Sequence, residues 1–209
     1  MKPLTRLALM SNNADKLAEL KQLLVDIELE VVSYLEITNY EIDVIEDGVT
    51  YQENALKKVM SPPEQEGVIY LADDSGLAVS ALNQSPGIYS ARFAGQGCSY
   101  EDNCLKVLSY LGNNVLRDAA FHCVIALRFP KSTRLDAHTI HGQVDGQIIR
   151  NPTSLKGFGY DPIFIPKGHR LPFNALSHEI KNKISHRGLA LAETKVFLKQ
   201  VLQGLHATS

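Results

Sequence analysis

Two adjacent carboxylates, Asp73 and Asp74, follow the apolar run 68–72 and precede Ser75 and Gly76. The run predicts a buried strand ending at this polar turn. Ligand sites in α/β sheets favour the carboxyl ends of strands. Adjacent residues of a strand point to opposite sides, so one carboxylate could hold Mg²⁺ or act as a base while the other anchors the turn. A plain polar turn before a new strand at Leu77 is the bland alternative. A second group, Ser11-Asn12-Asn13-Ala14-Asp15-Lys16, stands between an apolar run and a helical pattern. Backbone N–H groups at a helix start bind anions, and a lysine one turn in adds charge. An ordinary helix cap needs the same residue types. On this reading Lys16 lies on the solvated side of its helix. Acidic residues Glu41, Asp43, Glu46 and Asp47 form a third group, which could serve Mg²⁺ or simply a solvated face. The fourth is Gly157-Phe158-Gly159-Tyr160-Asp161 after Lys156, where glycines let the backbone approach a flat ligand on Phe158, or let Phe and Tyr turn into the core. Lys181 and the run Ser185-His186-Arg187-Gly188 place cations near a helix start, a position that suits an anionic or carbonyl-bearing ligand.

The elements that must position these groups follow from periodicity. Residues 4–10 read as a buried strand and 13–25 as a helix with Leu17, Leu20 and Leu24 on one face. Residues 49–59 read as a helix, with Thr50 and Glu53 as a capping box. Residues 100–111 read as a helix, 119–129 and 135–144 as a hairpin pair of strands, and 184–202 as one long helix. Strand–helix alternation followed by antiparallel strands predicts an α/β fold, a mixed sheet with helices packed on it. At 209 residues, 1–209 is expected to be a single domain. Hydrophobic residues at 44% and charged residues at 21% exclude a disordered or collagenous chain. A net charge of −2 speaks against a broad nucleic-acid-binding face. Cys98, Cys104 and Cys123 form no CxxC pair, which fits a reducing cytoplasm. No apolar stretch is long enough to span a membrane, and the apolar start stops at Met10, too soon for a signal peptide.

The blocks SNNADK, EDGVTYQENALKKV, LADDSGLAVSALNQSPGIYSARFAG, AFHCVIAL, GFGYDPIF and EIKNKISHRGLAL, in this order, resemble the inosine/xanthosine triphosphate pyrophosphatase family over nearly the whole chain. The resemblance implies a two-lobed fold with a long mixed sheet, a central cleft and a homodimer. It implies Mg²⁺-dependent hydrolysis of ITP, dITP or XTP to the monophosphate and pyrophosphate, removing deaminated purines from the nucleotide pool. By the same resemblance, Ser11, Asn12, Asn13, Ala14, Asp15 and Lys16 hold the triphosphate. Glu46 and Asp74 are the metal carboxylates, with Asp74 the base on water, and Ser75 touches substrate. Lys58 and Arg92 are further charged positions of the pattern. Phe158 stacks on the purine, and Gly159, Tyr160, Asp161, Lys181, His186 and Arg187 line the base pocket. Asn12 and Lys156 stand where the family usually carries Gly, and Ile180 where it carries Glu.

Base choice has a chemical basis. Hypoxanthine offers an O6 acceptor and an N1–H donor, whereas adenine offers the reverse. A donor such as Arg187 aimed at O6 would reject adenine by leaving a buried cation unpaired. Guanine shares O6 and N1–H, so its rejection must come from C2. Two other functions stay open at this point: a nucleotide pyrophosphatase of other base specificity, and a non-catalytic nucleotide-binding sensor.

Overall fold

The computed structural model describes residues 3–207. The first strand, β1 (Arg6–Leu9), buries Leu7 and Ala8 completely, as a strand covered on both faces requires. It pairs in parallel with β2 (Glu30–Ser33) on one side and β3 (Val68–Val79) on the other. Parallel neighbours need a crossover, and α1 (Ala14–Leu23) supplies the one between β1 and β2. A short helix α2 (Leu35–Thr38) and the helix α3 (Tyr51–Met60) precede β3. After β3 come α4 (Tyr100–Leu111), β4 (Asp118–Arg128), β5 (His138–Ile148), β6 (Phe164–Pro166), α5 (His178–Ile184) and α6 (His186–Ala207). The strand order is β2-β1-β3-β4-β5-β6, and β5 pairs antiparallel with β6, so the sheet is mixed as expected.

Two compact units make up the chain. The first holds the stretch up to Asp74, Val124–His141 and the stretch from Ala190 on; the second holds Ser75–Cys123 and Gly142–Leu189. In the first unit, Ala55 and Val59 of α3 pack with Ala8, Val32, Tyr70, Ala72 and Ala126 from the strands. In the second, Cys104, Val107 and Leu111 of α4 pack with Leu77, Phe121, Phe164 and Phe173. Gly146 is needed there, because a Cβ would sit 2.3 Å from the Ile165 carbonyl oxygen across the β5–β6 pair. Among the described residues no helix is long and apolar enough to cross a membrane.

Two expectations are corrected. The strand 68–72 does not end at Asp73: β3 continues through Asp73-Asp74-Ser75-Gly76 to Val79. Polar side chains break a buried strand only if they are left unpaired, and both carboxylates here have lysine partners. The single long C-terminal helix is instead α5 and α6, divided at Ser185, whose ψ of 153° is extended. Ser185 Oγ accepts the Gly188 N–H at 3.1 Å, and a Cβ on Gly188 would lie 1.8 Å from the Asn182 carbonyl oxygen. Only glycine permits that approach, so the SHRG run is a helix restart. The other helices match closely, and caps explain their starts. Thr50 accepts the Glu53 N–H at 3.1 Å, while the Glu53 carboxylate takes the Val49 N–H at 2.9 Å rather than that of the cap itself. Ser99 and Asp102 close a full capping box at the start of α4.

Candidate active site

The first unit gathers three carboxylates and two lysines around β3. Asp73 is buried, and both its oxygens meet the Lys16 ammonium, at 2.8 and 3.0 Å. This corrects the expectation that Lys16 faces solvent: α1 lies so that its lysine reaches the strand. Lys58 Nζ stands 2.9 Å from Glu46 Oε2, 3.3 Å from Asp74 Oδ1 and 3.2 Å from the Asp73 carbonyl oxygen. Burial pulls the Lys58 ammonium down, but Asp74, Glu46 and Asp73 outweigh it and hold the group above its usual value, so it stays charged. Burial raises the Asp74 carboxyl above its usual range, against the opposing effects of Lys58 and Asn54. A raised carboxylate is a stronger proton acceptor once ionised. Burial and the charge of Asp74 push the Tyr51 hydroxyl up to about 12.

The helix-start segment is built as a cap. Asn13 Oδ1 accepts the Lys16 N–H at 3.2 Å, Ser11 Oγ accepts the Asn13 N–H at 3.2 Å, and Asn12 Nδ2 donates to Glu41 at 3.4 Å. Ala14 is exposed at the helix start, while the Asp15 side chain lies outside those the structure describes. Asn54 is a residue that sequence reasoning missed. It is 1% exposed, accepts the Gly48 N–H at 2.8 Å and donates to Asp74 Oδ2 at 3.2 Å. The signal was its spacing: Asn54 and Lys58 are i and i+4 on α3, hence on one face.

The second unit gathers an aromatic group. Phe158 is 42% exposed, a large apolar ring in a glycine-flanked loop. Tyr100 lies 5.1 Å from it at 57°. The Lys181 ammonium and Arg187 guanidinium stand 5.7 and 5.8 Å from the Phe158 centroid. Lys181 is ion-paired to Asp161, whose burial raises its carboxyl against the pull of Lys181 and Arg187. Gly159 has φ +55°, and its carbonyl accepts the Cys104 thiol at 3.3 Å. Burial pushes that thiol up to about 12. Tyr160 is buried and its hydroxyl donates to the Ser90 carbonyl at 2.8 Å, which ties the loop to its own core. His186 stacks on Phe121 at 4.6 Å. Ser75 is half-buried in β3, and Arg92 is exposed, 5.3 Å from the Tyr89 ring. Lys156 and Ile180 are both exposed.

The chain resembles known proteins in sequence and fold. The model of the Ham1 family matches residues 7–197. A dITP/XTP pyrophosphatase of Leuconostoc mesenteroides is 45% identical over 206 residues, covering 95% of this chain and 99% of that protein. One of Desulfotalea psychrophila is 40% identical over 199 residues, covering 95% and 87%. A solved structure of a HAM1 protein from Coxiella burnetii superposes with a TM-score of 0.85 at 39% identity, covering 94% of this chain and 99% of that one.

Proposed function

The chain belongs to the Ham1 family, and on that premise we propose that it is a nucleoside triphosphate pyrophosphatase acting on ITP, dITP and XTP. The observation that carries the chemistry is the Glu46–Lys58–Asp74 array. It sets a fixed ammonium between two carboxylates, 2.9 Å from one and 3.3 Å from the other. Asp74 takes a proton from the attacking water. The water oxygen joins phosphorus, the α–β anhydride bond breaks, and pyrophosphate leaves with the bonding electrons. Lys16 and Lys58 lower the energy of charge that grows on the leaving group.

Among the described residues there is no group of three or more metal-ligating side chains. Two oxygen-donor carboxylates still suit Mg²⁺, which keeps waters and takes substrate phosphates as its remaining ligands. Glu46 and Asp74 would hold it, and when bound it would neutralise phosphate charge. At the base end, Phe158 stacks on the purine and Arg187 donates to O6, with Lys181 held by Asp161. Gly159 and Tyr160 shape the loop, and His186 sets the start of α6. Ser11, Asn12, Asn13, Ala14 and Asp15 belong to the triphosphate end. Family resemblance supports a homodimer, and the free cysteines Cys98, Cys104 and Cys123 support a cytoplasmic setting.

The test is pyrophosphate release from ITP, dITP, XTP, GTP and ATP with and without Mg²⁺. Release from the first three, dependent on Mg²⁺ and far slower from ATP, is expected. A preference for modified pyrimidine triphosphates, or binding without release, would overturn the proposal.

A further inference from the structure

We infer that Asn54 is a positioning residue: it clamps the Gly48 N–H and the Asp74 carboxylate in one buried side chain and so fixes the spacing between Glu46 and Asp74. The inference rests on the proposed function, because it concerns the carboxylates of that reaction.

Both ends of the Asn54 amide are chemically determined. A backbone N–H can only donate, so the group facing Gly48 N at 2.8 Å is the carbonyl oxygen. An ionised carboxylate can only accept, so the group facing Asp74 Oδ2 at 3.2 Å is the NH₂. No flipped amide satisfies both neighbours. At 1% exposure, no bulk water competes for either bond.

The two contacts reach the two halves of the site. Gly48 lies two residues after Glu46, at the end of the acidic loop. Asp74 is in β3, and its other oxygen faces Lys58 at 3.3 Å. Lys58 in turn faces Glu46 at 2.9 Å. Loop, helix and strand thus form a closed circuit through two residues of one helical face, Asn54 and Lys58. The loop approaches closely enough that residue 48 is restricted. A Cβ there would lie 2.6 Å from Asn54 Oδ1 and 2.8 Å from Glu53 Cβ. Gly48 is required by the clamp and not by a positive φ, since it is absent from the residues with left-handed backbone.

The experiment uses the full chain, the single variants Asn54→Asp, Gly48→Ala and Asn54→Ala, and the double variant of the first two. Asn54→Asp keeps the acceptor for Gly48 and removes the donor to Asp74. Gly48→Ala keeps the amide but forces the loop away from it. Kinetics with ITP and Mg²⁺ are measured well below the unfolding midpoint of each protein. Misplacement of about 1 Å can cost about 10²-fold in rate, so each single variant should lose about that much kcat, with KM changed only a few-fold. The double variant should lose little more than the worse single variant, because both break one clamp. The second readout needs no turnover. The Gly48 amide should be protected from hydrogen exchange in the parent and in Asn54→Asp, and should exchange freely in Asn54→Ala.

An unchanged kcat in both single variants, with only a lower unfolding temperature, would make Asn54 a structural residue and overturn the inference. Losses that multiply in the double variant, or a Gly48 amide that exchanges freely in the parent, would overturn it too. If Asn54→Asp does not fold, Gly48→Ala and the exchange readout decide. A parent that releases no pyrophosphate from ITP would instead sink the proposed function, and the exchange result would still read the clamp.

Discussion

The strand carboxylates of the first unit are each paired from within it, whereas the aromatic group of the second unit presents its chemistry outward. Asp73 and Asp74 have side chains 7% and 13% exposed, each faced by a lysine of its own unit. Phe158 is 42% exposed, and two cations stand near it with one buried carboxylate, Asp161, between them in charge. On the proposed function the difference would separate two tasks. A buried, paired array would hold charge in place whatever base the nucleotide carries and so govern rate. An open ring flanked by directional donors would register the base and so govern choice. Substitutions in the first unit should change turnover for all substrates alike, and substitutions in the second should change affinity or selectivity.

The largest effect expected is at Asp74. Asp74→Asn keeps the shape but removes the proton acceptor, so kcat for ITP should fall by at least about 10²–10⁴-fold. Circular dichroism should show an intact fold. Turnover within a few-fold of the parent would remove Asp74 from the role of base and dissolve the division of tasks.

Next is Phe158→Ala. Loss of a stacking face is worth roughly 1–3 kcal/mol per base. Every purine has that face, so KM should rise for ITP, XTP, GTP and ATP by similar factors. A loss confined to ITP would show that Phe158 discriminates rather than supports.

Lys16→Ala sharpens the contrast through stability. The ion pair leaves Asp73 buried, so removing its partner leaves a carboxylate with less compensation and should cost about 1–3 kcal/mol in denaturant unfolding. Adding Asp73→Asn should return part of it. No change in stability would mean that the pair is as loose as a surface salt bridge.

The smallest effect is at Tyr100, whose ring lies 5.1 Å from Phe158. Aromatic pairs contribute about 0.5–1.5 kcal/mol beyond area burial. Tyr100→Ala should therefore raise KM less than Phe158→Ala does, with kcat kept, and Tyr100→Phe should match the parent.

Local signals were legible in the sequence where a cap or a period carries them. The N-cap at Thr50, though not the full box with Glu53, and the span of α4 from Tyr100 to Leu111 follow directly from local pattern. What periodicity missed was decided by distant partners. Asp73 and Asp74 read as a turn because two adjacent carboxylates rarely stay inside a strand. Lys16 and Lys58, 57 and 16 residues away along the chain from their partners, make it possible. The break at Ser185 was hidden because His186-Arg187-Gly188 carries no proline, and only the 1.8 Å approach to Asn182 shows why the chain restarts there. Site residues were legible by type and block order. Asn54 was not, because its role comes from a loop glycine and a strand carboxylate that meet only in the folded chain.

The division of tasks is tested most directly by one ratio, kcat/KM for ITP over ATP, measured in the parent, Asp74→Asn and Arg187→Ala. In Asp74→Asn both values should fall by the same large factor and the ratio should stand. In Arg187→Ala the ITP value should fall while the ratio collapses, because the donor proposed to favour O6 over the adenine amino group is gone. A ratio that moves in Asp74→Asn, or that survives in Arg187→Ala, would contradict the account.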